Sequence, residues 1–447
     1  MFRPAILKKY EQGPKPLAPG LRIIALMTRL TKGNTLDFKG FTTRLVHADR
    51  LLNKPEDGAV HQASTNSVLF EYPQVEDLVD VFQGRQNGHA YSRQSSASIN
   101  ALQNILAEME GGVAALTFAT GMAAITTTLL TLLRQGDHLI LSQFLFGNTN
   151  SFADTLRGLG IEVTLVDVTD VTKVEAAIQD NTKAVYLETI ANPVTQVADL
   201  QAIGALCEQH QLVYMVDNTM TPAFLFDAKA ARASLLVGSL TKYVAGHGHV
   251  LGGAVIDTGL YDWQQFTNIN PAYKSQPPEL WGITQIKKKG LRDMGGCLTP
   301  DSAHLISVGL ETLALRMEKC CNNALKLATF LASHDKVDKV YYPGLSDHPQ
   351  HQLSRQLFKY YGGILSVDLK PGLDCFAFLN KLRLVLNATH LGDTRTLAIP
   401  VAHTIYYEMG AEQRAKMAIS DNMIRLSMGI EDIEDVIDDF KQALDAI

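Results

Sequence analysis

Cysteine is scarce in this chain, five in 447 residues. Cys320 and Cys321 are neighbours, and no Cys-x-x-Cys pair occurs. An odd count without paired spacing argues against a disulfide framework or a cysteine zinc site, and points to a reducing, cytoplasmic setting. Long apolar runs are missing too; the longest fall far short of the roughly 20 residues of a membrane span. Nor is there a basic surplus: Lys and Arg number 40 against 46 Asp and Glu, a formal net charge of -6. A nucleic-acid binder should carry a clearly basic domain, so that class is set aside. What is present is 46% hydrophobic and 19% charged residues, the composition of a folded soluble protein. At this length two or three domains are expected, because single cores stop growing near roughly 250–300 residues.

Residues 1–40 differ from the rest, with Pro4, Pro14, Pro16 and Pro19 and a basic excess. The apolar stretch Ile23–Met27 is too short for a secretory signal. A basic targeting peptide or a start at Met27 are alternatives to a loosely ordered extension. An arm is expected over 41–95, a large domain over 96–293 and a C-terminal domain over 294–447.

Within the large domain, Ile99, Leu102, Ile105, Leu106 and Met109 mark one face of a helix that Gly111-Gly112 ends. Short apolar strands are expected at Ala114–Ala119, His138–Ser142, Ile161–Asp167, Ala184–Thr189, Leu212–Asp217, Leu235–Leu240 and Val250–Ile256. Helical patterns such as Gly121–Arg134 and Asp199–Gln209 separate several of them. Continuous apolar strands alternating with helices predict an α/β fold with a mostly parallel sheet covered on both faces. The C-terminal part reads as a smaller α+β domain: one long helix over Asp301–Leu331, strands at Ile364–Leu369 and Ile424–Ser427, and an amphipathic helix over Glu431–Ala446. The acids of that last helix, from Glu431 to Asp439, are expected on a solvated face.

Parallel sheets bind ligands beyond the carboxyl ends of their strands, so chemistry is sought there. Thr120-Gly121-Met122 opens a helix, a seat for phosphate. Asp217 ends a buried strand, where a structural arginine would be the ordinary partner. Ser239-x-Thr241-Lys242-Tyr243 follows another, and lysine is rarely buried without a purpose. Together these residues supply what pyridoxal phosphate (PLP) needs: an amine for a Schiff base, an acid for its ring nitrogen, and hydroxyls and helix N–H groups for its phosphate.

On these residues the chain resembles the Cys/Met metabolism (transsulfuration) family of PLP enzymes. The matching motifs run in order from about residue 40 onward: Gly40-Phe41-Thr42-Thr43-Arg44, Tyr91-Ser92-Arg93, Thr120-Gly121-Met122, Glu188 with Asn192-Pro193, Asp217-Asn218-Thr219, Ser239 to His247, and Ile424 to Asp432. The resemblance implies a PLP fold type I large domain. It implies that Lys242 holds PLP and moves the substrate Cα proton, that Asp217 pairs with the ring nitrogen, and that Asn192 contacts the phenolic oxygen. Ser239, Thr241, Gly121 and Met122 would hold the phosphate. Tyr91 and Arg93 would reach into a neighbouring subunit's site, which implies a homo-oligomer, a dimer paired into a tetramer. Arg425 would clamp the substrate carboxylate; without the motif it would be read as a surface ion pair with Glu431 or Asp432.

Several positions depart from the family pattern. Phe146 stands where most members stack a tyrosine on the cofactor, so proton transfer there falls to Tyr91 or Lys242. Asn148 stands where methionine γ-lyases place a cysteine, which argues against methionine as substrate. His390 replaces a substrate-binding serine, and Thr389 replaces the acid of the γ-specific enzymes. His390, Asn148 and Arg425 are therefore the expected substrate contacts, with His403 a further candidate. Thr389 leads to the expectation of a carbon–sulfur lyase that cleaves cystathionine by β-elimination to homocysteine, pyruvate and ammonia. Gly392-Asp393-Thr394-Arg395-Thr396-Leu397 and Phe146 instead resemble O-acylhomoserine sulfhydrylases, and γ-replacement is the main alternative. A non-catalytic binding protein on the same fold is the remote one. His247-x-His249 lacks a third ligand, so no metal is expected, and Gly246-x-Gly248-x-x-x-Gly252 has the wrong spacing for a dinucleotide loop.

Overall fold

The computed structural model describes residues 38–52 and 58–447. The expectation for the N-terminal extension lies almost wholly outside the described residues.

Seven strands form the larger sheet: β1 (Ala114–Phe118), β2 (His138–Ser142), β3 (Glu162–Val166), β4 (Thr182–Glu188), β5 (Val213–Asp217), β6 (Leu235–Gly238) and β7 (Gly253–Asp257). Their order is β1-β7-β6-β5-β4-β2-β3. All neighbours are parallel except those of β7, which runs antiparallel to both β1 and β6. The expected mostly parallel α/β sheet is therefore present, each strand end falling within three residues of its predicted position.

Residues successive along a strand point to opposite faces, and both faces are buried. Tyr214, Val216, Leu236 and Ile256 face one apolar core, packed by Leu102 and Leu106 of the helix Ala97–Glu110 and by Ile203 of Leu200–Gln209. Val213, Met215, Leu235 and Val255 face another, packed by Ile125 and Leu129 of the helix Gly121–Leu132 and by Trp263. Each fully buried Leu, Ile or Val contributes roughly 1.5–3 kcal/mol. Such two-sided burial holds the strand ends in place. The first helix ends as expected at Gly111, whose left-handed backbone (φ 66°) closes the turn.

The smaller sheet contains β8 (Val337–Tyr341), β9 (Ile364–Leu369), β10 (Leu386–Asn387), β11 (Leu397–Pro400) and β12 (Met423–Ser427), in the order β10-β11-β12-β9-β8. The sequence pattern revealed only β9 and β12. The others are short and only partly apolar, and they are set by pairing across long sequence separations.

Two expectations are corrected here. The long helix over Asp301–Leu331 is two helices, Pro300–Glu311 and Leu313–Ala332. The carbonyl of Gly309 accepts from the Thr312 hydroxyl and the Arg316 guanidinium, which interrupts the run at Thr312. Arg316 also donates to the carbonyls of Tyr243 and Val244, so this break clamps the segment after Lys242. The terminal helix spans Ile433–Asp445, and its acids are not all solvated. Asp439 is buried and accepts the backbone N–H groups of Arg383, Leu384 and Val385, while Glu431 accepts from Thr396.

Candidate active site

The carboxyl ends of β4, β5 and β6 and the start of the helix Gly121–Leu132 surround one cavity of about 350 Å³. Gly121, Met122, Phe146, Asn148, Asn192, Asp217, Ser239, Thr241, Lys242 and Arg425 all line it. These ten sequence-predicted residues thus converge from segments spread over about 300 positions of chain.

At the helix-start end of the cavity, Thr120 caps the helix by accepting Ala123 N–H at 3.0 Å. Gly121 lets this helix start approach Ser239 closely, since a Cβ there would stand 2.8 Å from Ser239 Cβ. Ser239 N–H donates to Thr219 Oγ1 at 2.8 Å, tying the residue after β6 to the turn that follows β5. Thr241 uses its hydroxyl on Gly252, donating to the carbonyl at 3.1 Å and accepting the amide at 2.9 Å. It would have to turn from Gly252 to donate to a phosphate.

Asp217 accepts Tyr186 Oη–H at 2.9 Å and Thr219 N–H at 2.9 Å. No arginine, the ordinary partner of a lone buried carboxylate, pairs with it among the described residues, and burial raises its pKa. Glu188 is its register partner on β4 and accepts Phe146 N–H at 2.7 Å. Burial, and then the Asp217 charge, push the Glu188 carboxyl up to about 8. Tyr186, Glu188 and Thr219 were not assigned roles from sequence. The signal available was Tyr186 and Glu188 at a spacing of two on one strand, hence on one face.

Lys242 Nζ lies 3.2 Å from His390 Nδ1. Burial, then the Arg425 charge, lower the Lys242 pKa to about 8. His390 is pushed down to about 4, by burial first and by Lys242 second. Arg425 is 2% exposed, so the surface ion pair considered for it does not form. Its Nη2 donates to the carbonyls of Thr389 and His390, each at 3.0 Å. Asn192 Oδ1 accepts no hydrogen bond among the described residues, and the residue is fixed through its backbone, whose carbonyl accepts from Tyr406 Oη.

Tyr91 and Arg93 do not line the cavity. They are exposed, with the Arg93 guanidinium 5.5 Å from the Tyr91 ring centre. His403 lies elsewhere too, its Nε2 3.0 Å from the Asp421 carbonyl and its ring 4.9 Å from Phe376. It is set aside as a substrate contact. His247 and His249 meet edge to face at 5.5 Å.

The residues present fit PLP. Asn192 Oδ1 and Arg425 Nε, on two cavity-lining residues, are buried without a hydrogen-bond partner among the described residues. An unpaired buried polar atom costs about 1–3 kcal/mol, so a pair of them calls for a polar ligand. Asp217 is a buried acid whose hydrogen-bond partners are both neutral, and a protonated pyridine nitrogen would supply the missing cation.

Comparison with known proteins agrees with this geometry. Residues 42–445 match the family model for Cys/Met metabolism PLP-dependent enzymes. L-methionine gamma-lyase of Pseudomonas putida is 37% identical over 412 residues, covering 91% of this chain and 98% of that protein. O-acetyl-L-homoserine sulfhydrylase of Corynebacterium glutamicum is 34% identical over 427 residues, covering 91% and 97%. Among solved structures, a putative O-acetylhomoserine (thiol)-lyase of Campylobacter jejuni carrying a pyridoxyl-lysine phosphate superposes with a TM-score of 0.86 at 31% identity, covering 91% of this chain and all of that one (100%). Cystathionine gamma-lyase of Lactobacillus plantarum complexed with L-serine gives 0.81 at 30% identity, covering 91% and 99%. With Asp217, Lys242 and Arg425 gathered on one cavity at the strand ends of a fold type I sheet, this chain belongs to the Cys/Met metabolism family of PLP-dependent enzymes.

Proposed function

We propose that the enzyme acts at Cγ of an O-acylhomoserine, replacing the acyloxy group with a thiol or sulfide. The observation that carries this reading is the convergence of Lys242, Asp217 and Arg425 on one cavity whose wall holds Phe146, Asn148 and Thr389. Phe146 and the Gly392–Leu397 motif resemble sulfhydrylases, and the relatives include an O-acetyl-L-homoserine sulfhydrylase alongside γ-lyases. This shifts the balance from Cβ, the position expected from Thr389, to Cγ. Cleavage of cystathionine at Cβ is kept as the second reading, because position 389 of the cavity wall holds a threonine and not an acid.

In this reading Lys242 Nζ carries the cofactor and, once released, takes the substrate Cα proton. When bound, PLP supplies an electron sink for the charge that develops at Cα. Asp217 keeps the ring nitrogen protonated, and Glu188, itself uncharged, adds no second negative charge beside it. Asn192 lies against the phenolic oxygen, while Ser239 and the Gly121 and Met122 amides hold the phosphate. Arg425 takes the substrate carboxylate and Asn148 flanks it, while His390 meets the Lys242 amine at 3.2 Å and stands outside the cavity wall. Tyr91 and Arg93 complete a neighbouring subunit's site in a dimer or dimer of dimers. The exposed apolar side chains of the same segment, Leu69 and Phe82 among them, support such an assembly. The substrate partner is a small amino acid.

The test is a product assay. Purified protein is offered O-acetylhomoserine or O-succinylhomoserine with sulfide or cysteine, and separately cystathionine and methionine. Homocysteine or cystathionine from the acyl esters supports the proposal; pyruvate from cystathionine without replacement activity overturns it. The cofactor assignment has its own check. The protein should be yellow, and borohydride should fix the cofactor to Lys242.

A further inference from the structure

His390 stands where the family pattern has a serine, and its ring occupies a defined place behind the lysine. Nδ1 is 3.2 Å from Lys242 Nζ, its carbonyl accepts from Arg425, and its Cδ2 packs near Gly248, 3.7 Å from the position of a Cβ there. Thr389 and Leu391 line the cavity, whereas His390 does not. The histidine therefore meets the amine from the side rather than facing a ligand across open space. The charged and titratable groups around it are Lys242, Asp393 and Arg425.

We propose that His390 is a positioning residue for Lys242, its Nδ1 accepting a hydrogen bond from the Lys242 amine and aiming that amine into the cavity whenever it is not joined to the cofactor. Burial, and then the Lys242 and Arg425 charges beside it, hold the imidazole neutral, so the Nδ1 lone pair is available to accept. A proton on the lysine is not passed on to this ring, because the amine holds it far more tightly, at about 8 against about 4. The role is orientation of the proton carrier during the interval in which it must collect a proton from the substrate. It rests on Lys242 being the reactive amine and holds for either leaving group.

The experiment compares His390→Leu, which removes the acceptor, with His390→Asn, whose amide oxygen can stand near the Nδ1 position. A hydrogen bond to a charged group contributes about 1.5–3 kcal/mol, so His390→Leu should lower kcat by about 10- to 100-fold with little change in KM, and His390→Asn should recover most of the loss. A second readout does not depend on turnover. The yellow enzyme is saturated with glycine, which displaces the lysine, and the adduct is locked with borohydride. The freed amine is then labelled with acetic anhydride across pH and quantified by peptide mass spectrometry. The labelling midpoint of Lys242 should fall by roughly one pH unit in His390→Leu, because the ammonium loses its acceptor, and return in His390→Asn. An unchanged midpoint and kcat in His390→Leu, or equal defects in both variants, would overturn the inference. Borohydride fixing the cofactor to a different lysine would instead overturn the reading of Lys242 itself.

Discussion

Glu188 and Asp217 are register partners at the carboxyl ends of β4 and β5, so two carboxyl groups stand side by side at the wall of the cavity. Only one can carry a charge there cheaply. Asp217 has the better claim, since Thr219 N–H and Tyr186 Oη–H both donate to it. Glu188 is pushed up to about 8 and stays protonated at neutral pH. Asp217→Asn should therefore weaken cofactor binding and reduce turnover by roughly 100-fold or more, the scale of a lost buried charge pair. Glu188→Gln keeps an acceptor for Phe146 N–H and should cost far less. Equilibrium dialysis of PLP and kcat for the two variants decide the order; equal losses would refute it.

Arg425 is buried and steered by two backbone carbonyls, which orients the guanidinium as a fork. Lysine keeps the charge but cannot make the paired contact with a carboxylate. Arg425→Lys should lower kcat/KM for amino-acid substrates by at least roughly 30-fold. Steady-state kinetics across substrates should show the loss with all of them, because the carboxylate is common to all.

Gly121 and Ser239 approach too closely for a side chain on the glycine, with Ser239 Cα only 3.1 Å from a Cβ at that position. Gly121→Ala should push the helix start away from β6 and reduce cofactor affinity while the sheet stays folded. Thermal unfolding with and without added PLP checks this: the variant should lose most of the ligand-dependent rise in Tm.

Glu110 is buried outside the cavity and accepts from Asn218 Nδ2 at 3.0 Å and Ala223 N–H at 3.3 Å. Burial pushes its carboxyl up to about 7. The folded state then holds a proton that the unfolded chain releases near pH 4.5, so stability falls as pH rises from about 4.5 through about 7. Glu110→Gln should remove that slope, on the order of 2 kcal/mol across the window. Urea unfolding of both proteins between pH 5 and pH 8 (a range bracketing about 7) measures the difference; parallel curves would refute it.

The sequence by itself determined the strand pattern of the large sheet, the residue types at the strand ends and the family. These follow from short-range physics: buried strands read as apolar runs, and glycine, lysine and aspartate are conspicuous at their ends. It did not determine which neighbours those side chains would meet. An arginine would be the ordinary partner of a lone carboxylate like Asp217, yet a tyrosine and a threonine amide donate to it. Arg425 could have been an exposed ion pair, and only packing of β12 in the smaller sheet made it buried. Asp439 looked solvated on its helix until the turn over Arg383–Val385 brought three amides to it. His390 and Lys242 lie 148 positions apart. Their contact depends on how two sheets pack, and the periodicity of neither segment contains that information. Local sequence set what each residue could do, and tertiary packing chose the partner that decides whether it does.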